Sequence, residues 1–211
     1  MLTAIIDYES GNLHSAQKAF EKMARETDAG QVVVTDDADT VARADRIVLP
    51  GDSAFPACAA ALRASGCFDA MIEAVEQRAV PFMGICVGMQ LMAREGHEYS
   101  TTPGLGWADG VVERITPSDP TLKVPHMGWN ALNLEQAHPV LDGVEDGAHV
   151  YFVHSYHMAL SASTQRIAYA QYGGPVTAIV GSDTRIGLQF HPEKSSHTGL
   201  RMIANFLNWR P

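Results

Sequence analysis

Residues 47–49 (Ile-Val-Leu) and 82–85 (Phe-Met-Gly-Ile) are strand-length runs without the apolar–polar alternation of a strand that has one wet face. Strands of that kind need a sheet covered on both sides, and such sheets are mostly parallel, with helices returning across each face. The neighbouring text supplies those helices. Strand-like residues 2–7 precede a helical pattern over 12–25; then come strands over 31–34 and 46–49, helical stretches reaching 78, and a strand over 81–85. This rhythm predicts an α/β core, a central and mostly parallel sheet with helices on both faces.

From Trp107 onward the pattern changes to β-rich segments separated by turn residues, at 110–115, 128–134, 149–160, 166–172, 176–180 and 187–190. They are expected to extend the central sheet as antiparallel strands. The spacing of Leu200, Ile203, Phe206 and Leu207 marks a closing amphipathic helix over 197–209. With no repeat, linker or low-complexity stretch, the 211 residues read as one domain spanning 1–211.

Fifteen basic residues against 24 acidic ones leave a net charge of −9, which disfavours a phosphate-backbone partner, so no nucleic acid is expected. No apolar run approaches the roughly 20 residues needed to cross a bilayer, and the N-terminus opens into a strand without a basic leader. A cytoplasmic chain with no membrane partner is expected. Cys58, Cys67 and Cys86 form no CxxC pair, so neither a disulfide framework nor a thiolate zinc site is indicated. Cys58 and Cys67 lie in alanine-rich helical text and read as packing residues.

Cys86 stands elsewhere, at the end of strand 82–85 in Gly84-Ile85-Cys86-Val87-Gly88-Met89-Gln90, with a helical pattern expected over 90–94. This is the sulfur form of a nucleophile elbow, in which flanking glycines remove side chains that would collide with strand and helix. A thiol so placed at a helix N-terminus is favoured as thiolate, the reactive form of a group whose free pKa is about 8.5. The backbone N–H of Val87 is placed to hold a developing oxyanion. A tight turn around a small buried cysteine fits the same five residues equally well.

The second motif is Gln189-Phe190-His191-Pro192-Glu193-Lys194-Ser195. A strand over 187–190 would deliver His191 at its edge, and Pro192 stiffens the exit that presents Glu193. His191 would then take the Cys86 proton while Glu193 fixes the imidazole tautomer, the logic of a Cys-His-acid triad. A His-x-Glu alone is more often surface text; joined to the elbow it favours catalysis.

Together the two motifs resemble those of class I glutamine amidotransferases, and the resemblance runs over essentially the whole chain. Asp7-Tyr8 with Gly11-Asn12-Leu13, the segment Val124-Pro125-His126-Met127-Gly128-Trp129-Asn130, and Tyr151-Phe152-Val153-His154-Ser155-Tyr156-His157 are similar to one group within them, the glutaminase subunits of imidazole glycerol phosphate synthases. The resemblance implies a flavodoxin-like amidotransferase fold and a triad of Cys86, His191 and Glu193. It implies glutamine as substrate, no metal or organic cofactor, and a (β/α)-barrel cyclase as partner in a heterodimer, receiving ammonia for histidine biosynthesis. Glutaminases feeding pyridoxal phosphate, anthranilate or GMP synthesis stay open as alternatives, as does a non-catalytic regulatory subunit of the same fold.

Further site residues rest on the same resemblance. Pro50-Gly51-Asp52-Ser53 matches the family's oxyanion strand, with Ser53 where a second glycine is usual. A peptide flip between Gly51 and Asp52 would bring the Asp52 N–H to the oxyanion beside that of Val87, and an ordinary Pro-Gly turn is the alternative. Gln90, one turn past the nucleophile, Glu98, Ser155 and Tyr156 are implied substrate contacts, against a reading as half-buried polar residues. Asn12, Trp129 and Lys194 are implied interface residues; Trp129 as a core residue is equally compatible with its surroundings. His154 and His157 lie three apart, which in a strand points them to opposite faces, so no metal is expected there.

Overall fold

A computed structural model describes residues 1–9 and 13–211. The first half runs β1 (Leu2–Ile6), α1 (Leu13–Thr27), β2 (Gln31–Thr35), α2 (Ala38–Ala42), β3 (Arg46–Leu49), α3 (Phe55–Ala64), α4 (Phe68–Ile72) with a π-helical turn at Glu73–Gln77, β4 (Phe82–Ile85) and α5 (Val87–Gln90). The second half runs β5 (Ala93–Gly96), β6 (Thr102–Pro103), β7 (Ala108–Arg114), β8 (His126–Ala131), β9 (Asn133–Leu134), β10 (His149–His154), β11 (Tyr156–Leu160), β12 (Arg166–Gln171), β13 (Pro175–Ser182), β14 (Arg185–Leu188) and α6 (Ser196–Asn208).

The main sheet has the order β2-β1-β3-β4-β14-β13-β12-β9. It is parallel from β2 through β14, then antiparallel across β13, β12 and β9. Every residue of β3 and β4 is buried, as the apolar runs 47–49 and 82–85 require of strands covered on both faces. α1 packs on α6, where the Phe20 and Phe206 rings meet edge to face, and α2 packs on α4. Inward residues of α6 include Ile203, Phe206 and Leu207, as the 3.6-residue spacing predicts, whereas Leu200 is only half-buried. No helix among the described residues is long and apolar enough to cross a membrane.

Three expectations need correction. The helix expected over 90–94 ends at Gln90, and Ala93–Gly96 is a strand beside β7. The carbonyls of residues 91–94 accept instead from the N–H groups of Leu105, Ala108, Gly106 and Gly104, so tertiary pairing overrides local helix preference. Only β9, β12 and β13 extend the main sheet antiparallel; β11, β7, β5 and β6 form a second sheet and β10 with β8 a third. The expected segment 149–160 is not continuous, because it bends at Ser155, whose carbonyl accepts from the Ile115 N–H, and its halves join different sheets.

Candidate active site

Parallel pairing puts the C-terminal ends of β4 and β14 side by side, and the two motifs leave from there. The Cys86 N–H donates to the Leu188 carbonyl at 2.8 Å, so the cysteine is tied to the strand that leads to His191. The histidine loop is tied in turn to β10. His191 N–H donates to the Tyr151 carbonyl at 3.0 Å, while the buried Ser195 hydroxyl donates to the His191 carbonyl at 2.6 Å and accepts from the Tyr151 N–H at 3.0 Å.

Cys86 has φ 55° and ψ −111°, a strained conformation for a residue with a side chain. Gly88 lets the turn lie against the end of β3, because a Cβ there would lie 1.8 Å from the Leu49 carbonyl oxygen. α5 is a single turn of four residues, so the dipole expected to favour the thiolate is smaller than that of a full helix. Burial disfavours the His191 cation, yet hydrogen bonds and charge from Cys86 and Glu193 outweigh it and push its pKa up to about 10. Glu193 Oε1 lies 2.8 Å from His191 Nδ1, with both side chains almost wholly buried. The structure thus brings the three together: Glu193 is hydrogen-bonded to His191, and Cys86 stands close enough to the same imidazole to raise its pKa.

A pocket of about 370 Å³ opens over the cysteine, lined by Cys86, Val87, Gln90, Glu98, Ser155 and Tyr156 among others. Gln90 is buried and donates through Nε2 to the Tyr156 carbonyl at 2.9 Å and to Gln189 Oε1 at 3.1 Å. Glu98 Oε2 accepts from the Phe55 N–H at 2.7 Å, so this carboxylate also holds the first turn of α3. Asp52 lines the pocket, but the Val87 N–H donates to the Gly51 carbonyl at 3.2 Å. The donor expected to face an oxyanion is therefore covered in this conformation, and the Gly51–Asp52 peptide presents oxygen where nitrogen would be needed.

Trp129 is 54% exposed, which removes the core reading, and its ring meets Tyr151 edge to face. Lys194 is exposed one residue beyond Glu193. Asn12 lies outside the described residues. A groove of about 760 Å³ beside Trp129, running along residues 143–149 to the start of α6, does not include the cysteine. His154 is buried against His126, and no group of metal-ligand type occurs among the described residues. Sequence reasoning gave no role to Gln189, fully buried, whose Nε2 lies 3.9 Å from the Cys86 sulfur. An amide ending a run of apolar strand residues was the available signal.

The fold and this site define a class, and comparison with known proteins agrees: the chain belongs to the class-I glutamine amidotransferase family, whose model it matches over residues 4–209. It is 70% identical, over the full length of both chains, to the imidazole glycerol phosphate synthase subunit HisH of Ruegeria pomeroyi. Identity to the subunit of the same name from Cereibacter sphaeroides is 62%, again over both full lengths. A crystal structure of a glutamine amidotransferase superposes with a TM-score of 0.72 over 98% of this chain and 99% of that one, at 16% identity, a likeness of fold.

Proposed function

We propose that this chain is the glutaminase subunit of an imidazole glycerol phosphate synthase, with residues 1–211 acting as one amidotransferase domain in the cytoplasm. Cys86, His191 and Glu193 are its triad. The observation that carries the reading is a cysteine lining a pocket large enough for glutamine, beside an imidazole whose pKa it raises and which Glu193 holds by a hydrogen bond. Full-length identity to HisH proteins supports the particular synthase.

The Cys86 thiolate attacks the glutamine carboxamide carbon, forming a C–S bond and moving the carbonyl electron pair onto oxygen. Collapse of that intermediate breaks the C–N bond, and ammonia leaves with a proton from His191. Water then adds to the γ-glutamyl thioester as the same imidazole takes its proton; the C–S bond breaks, releasing glutamate and restoring the thiolate. Oxyanion stabilisation falls to the N–H groups of Val87 and Asp52, after the Gly51–Asp52 peptide turns over and uncovers the first while presenting the second. Gln90, Glu98, Ser155 and Tyr156 surround the substrate. Asn12, Trp129 and Lys194 meet a HisF-type (β/α)-barrel cyclase that receives the ammonia.

The test is glutamate release with and without a HisF-type cyclase and its ribonucleotide ligand. Glutaminase activity that rises on complex formation and vanishes in Cys86→Ala is expected. Activity retained by Cys86→Ala, or stimulation only by a different synthase, overturns the reading.

A further inference from the structure

From the pocket wall, which includes Gln90, His154 and Tyr156, inward to Asn130, four side chains and one carbonyl form a single hydrogen-bonded chain with a forced direction. His154 Nδ1 lies 2.8 Å from the Tyr156 carbonyl oxygen, which can only accept, so that nitrogen carries hydrogen. His154 Nε2 faces His126 Nδ1 at 3.0 Å, and His126 Nε2 faces Asn130 Nδ2 at 3.1 Å. Asn130 Oδ1 is taken by the Ala131 N–H at 2.8 Å, which settles which end of that amide meets the ring. Every donor along the line is therefore fixed: Asn130 donates to His126, His126 to His154, and His154 to Tyr156.

The rings are built for this. His126 is stacked between Phe152 and Tyr172, with ring centroids 4.5 and 4.0 Å away. Burial pushes the pKa of His126 down to about 4 and that of His154 to about 3. Both rings are neutral at pH 7, and each then has one donor and one acceptor, as the chain demands. The Tyr156 carbonyl also accepts from Gln90 Nε2, and Gln189 Oε1 takes a second bond from the same nitrogen. Both amide hydrogens of Gln90 are committed, leaving its carbonyl oxygen to meet a ligand in the pocket that it lines.

We propose that His154 and His126 are positioning residues: by setting the direction of this chain they hold the Tyr156 carbonyl against Gln90 and so aim the Gln90 carboxamide oxygen at the substrate. The inference rests on the glutaminase reading of the pocket. Neither imidazole exchanges a proton with the reaction. If His154 carried its hydrogen on Nε2 instead, two lone pairs would oppose each other at Tyr156 and the end of β10 would lose its hold on the strand that lines the pocket.

The test uses the full chain in complex with its cyclase. His154→Phe raises KM for glutamine roughly tenfold, the scale of one hydrogen bond, with a smaller change in kcat. His154→Asn, whose amide reaches where Nδ1 stood, recovers most of the loss, whereas His154→Gln, reaching to the Nε2 position, does not. Alkylation of Cys86 by iodoacetamide stays unchanged in all three, which shows that they fold. Nitrogen-15 spectra of the wild-type chain show hydrogen on Nδ1 of both rings. Unchanged KM in a folded His154→Phe, equal effects of Asn and Gln, or an Nε2–H tautomer at His154 would overturn the proposal. A wild-type complex that releases no glutamate sinks the glutaminase reading instead, and the spectra still decide the direction of the chain.

Discussion

Glu193 Oε1 sits 2.8 Å from His191 Nδ1, and its other oxygen, Oε2, is buried without a hydrogen-bond partner. The carboxylate is thus committed to the imidazole. In Glu193→Gln the amide can turn its NH₂ group toward Nδ1 and favour the wrong tautomer, and the negative charge is gone. A fall in kcat of roughly 10²–10⁴-fold is expected, with the His191 pKa moving down from about 10. Steady-state kinetics and an NMR titration of His191 check both, and an unmoved titration would count against the pairing.

Gly88 tests the elbow. A methyl group there meets the Leu49 carbonyl oxygen at 1.8 Å, a backbone atom of a fully buried strand that cannot yield cheaply. Gly88→Ala should cost at least about 3 kcal/mol of stability, through overpacking and displacement of α5. Denaturant unfolding measures it.

The Gly51 carbonyl now occupies the Val87 N–H at 3.2 Å. If turning that peptide uncovers Val87 and presents the Asp52 N–H, Asp52→Pro deletes one oxyanion donor without touching the sulfur. The expected outcome is a kcat lower by roughly 10²–10³-fold. Cys86 should still react with iodoacetamide at its wild-type rate, and an unchanged kcat would exclude Asp52 as a donor.

Arg46 is 2% exposed and donates through Nε to the Phe206 carbonyl and through a terminal nitrogen to the Trp209 carbonyl, both at 3.1 Å. It closes the end of α6 onto β3. Arg46→Met keeps the bulk but strands the Trp209 carbonyl and leaves the Phe206 carbonyl to the Trp209 N–H alone, at a cost of about 1–3 kcal/mol. Thermal unfolding should show the loss while glutaminase activity at low temperature persists.

His126 and His154 also set an acid limit. Their folded pKa values, about 4 and about 3, lie below the unfolded value near 6.5. Below pH 6.5 the unfolded chain therefore binds protons that the native rings refuse, so stability present above 6.5 is lost as pH falls toward 4 and then 3. His191 acts at the other end: its contribution is complete below pH 6.5 and disappears as pH rises through about 10. Urea midpoints from pH 4 to 10 should peak between those limits, and His154→Asn should flatten the acid limb by about one proton.

Much of the molecule was legible from residue types alone. Unalternating strands at 47–49 and 82–85 required a doubly covered sheet, and all of β3 and β4 is buried. The elbow could be read because glycines at 84 and 88 answer a steric demand that any fold would impose on such a turn. Residues 90–94 misled because their helix preference is local, whereas the partners of the 91–94 carbonyls come from residues 104–108. Trp129 could not be placed, since an aromatic side chain suits a core or an exposed face equally well.

Chemical identity and local backbone geometry were written along the chain: which residue carries sulfur, where a turn must be tight, and which side chains could serve as base and acid. What only folding decided is mutual position. The β4–β14 pairing sets Cys86 beside His191, the Gly51 carbonyl covers Val87, and Gln189 and two histidines close in behind the pocket. Such contacts join residues far apart in sequence, and their energies depend on distances that no local pattern encodes.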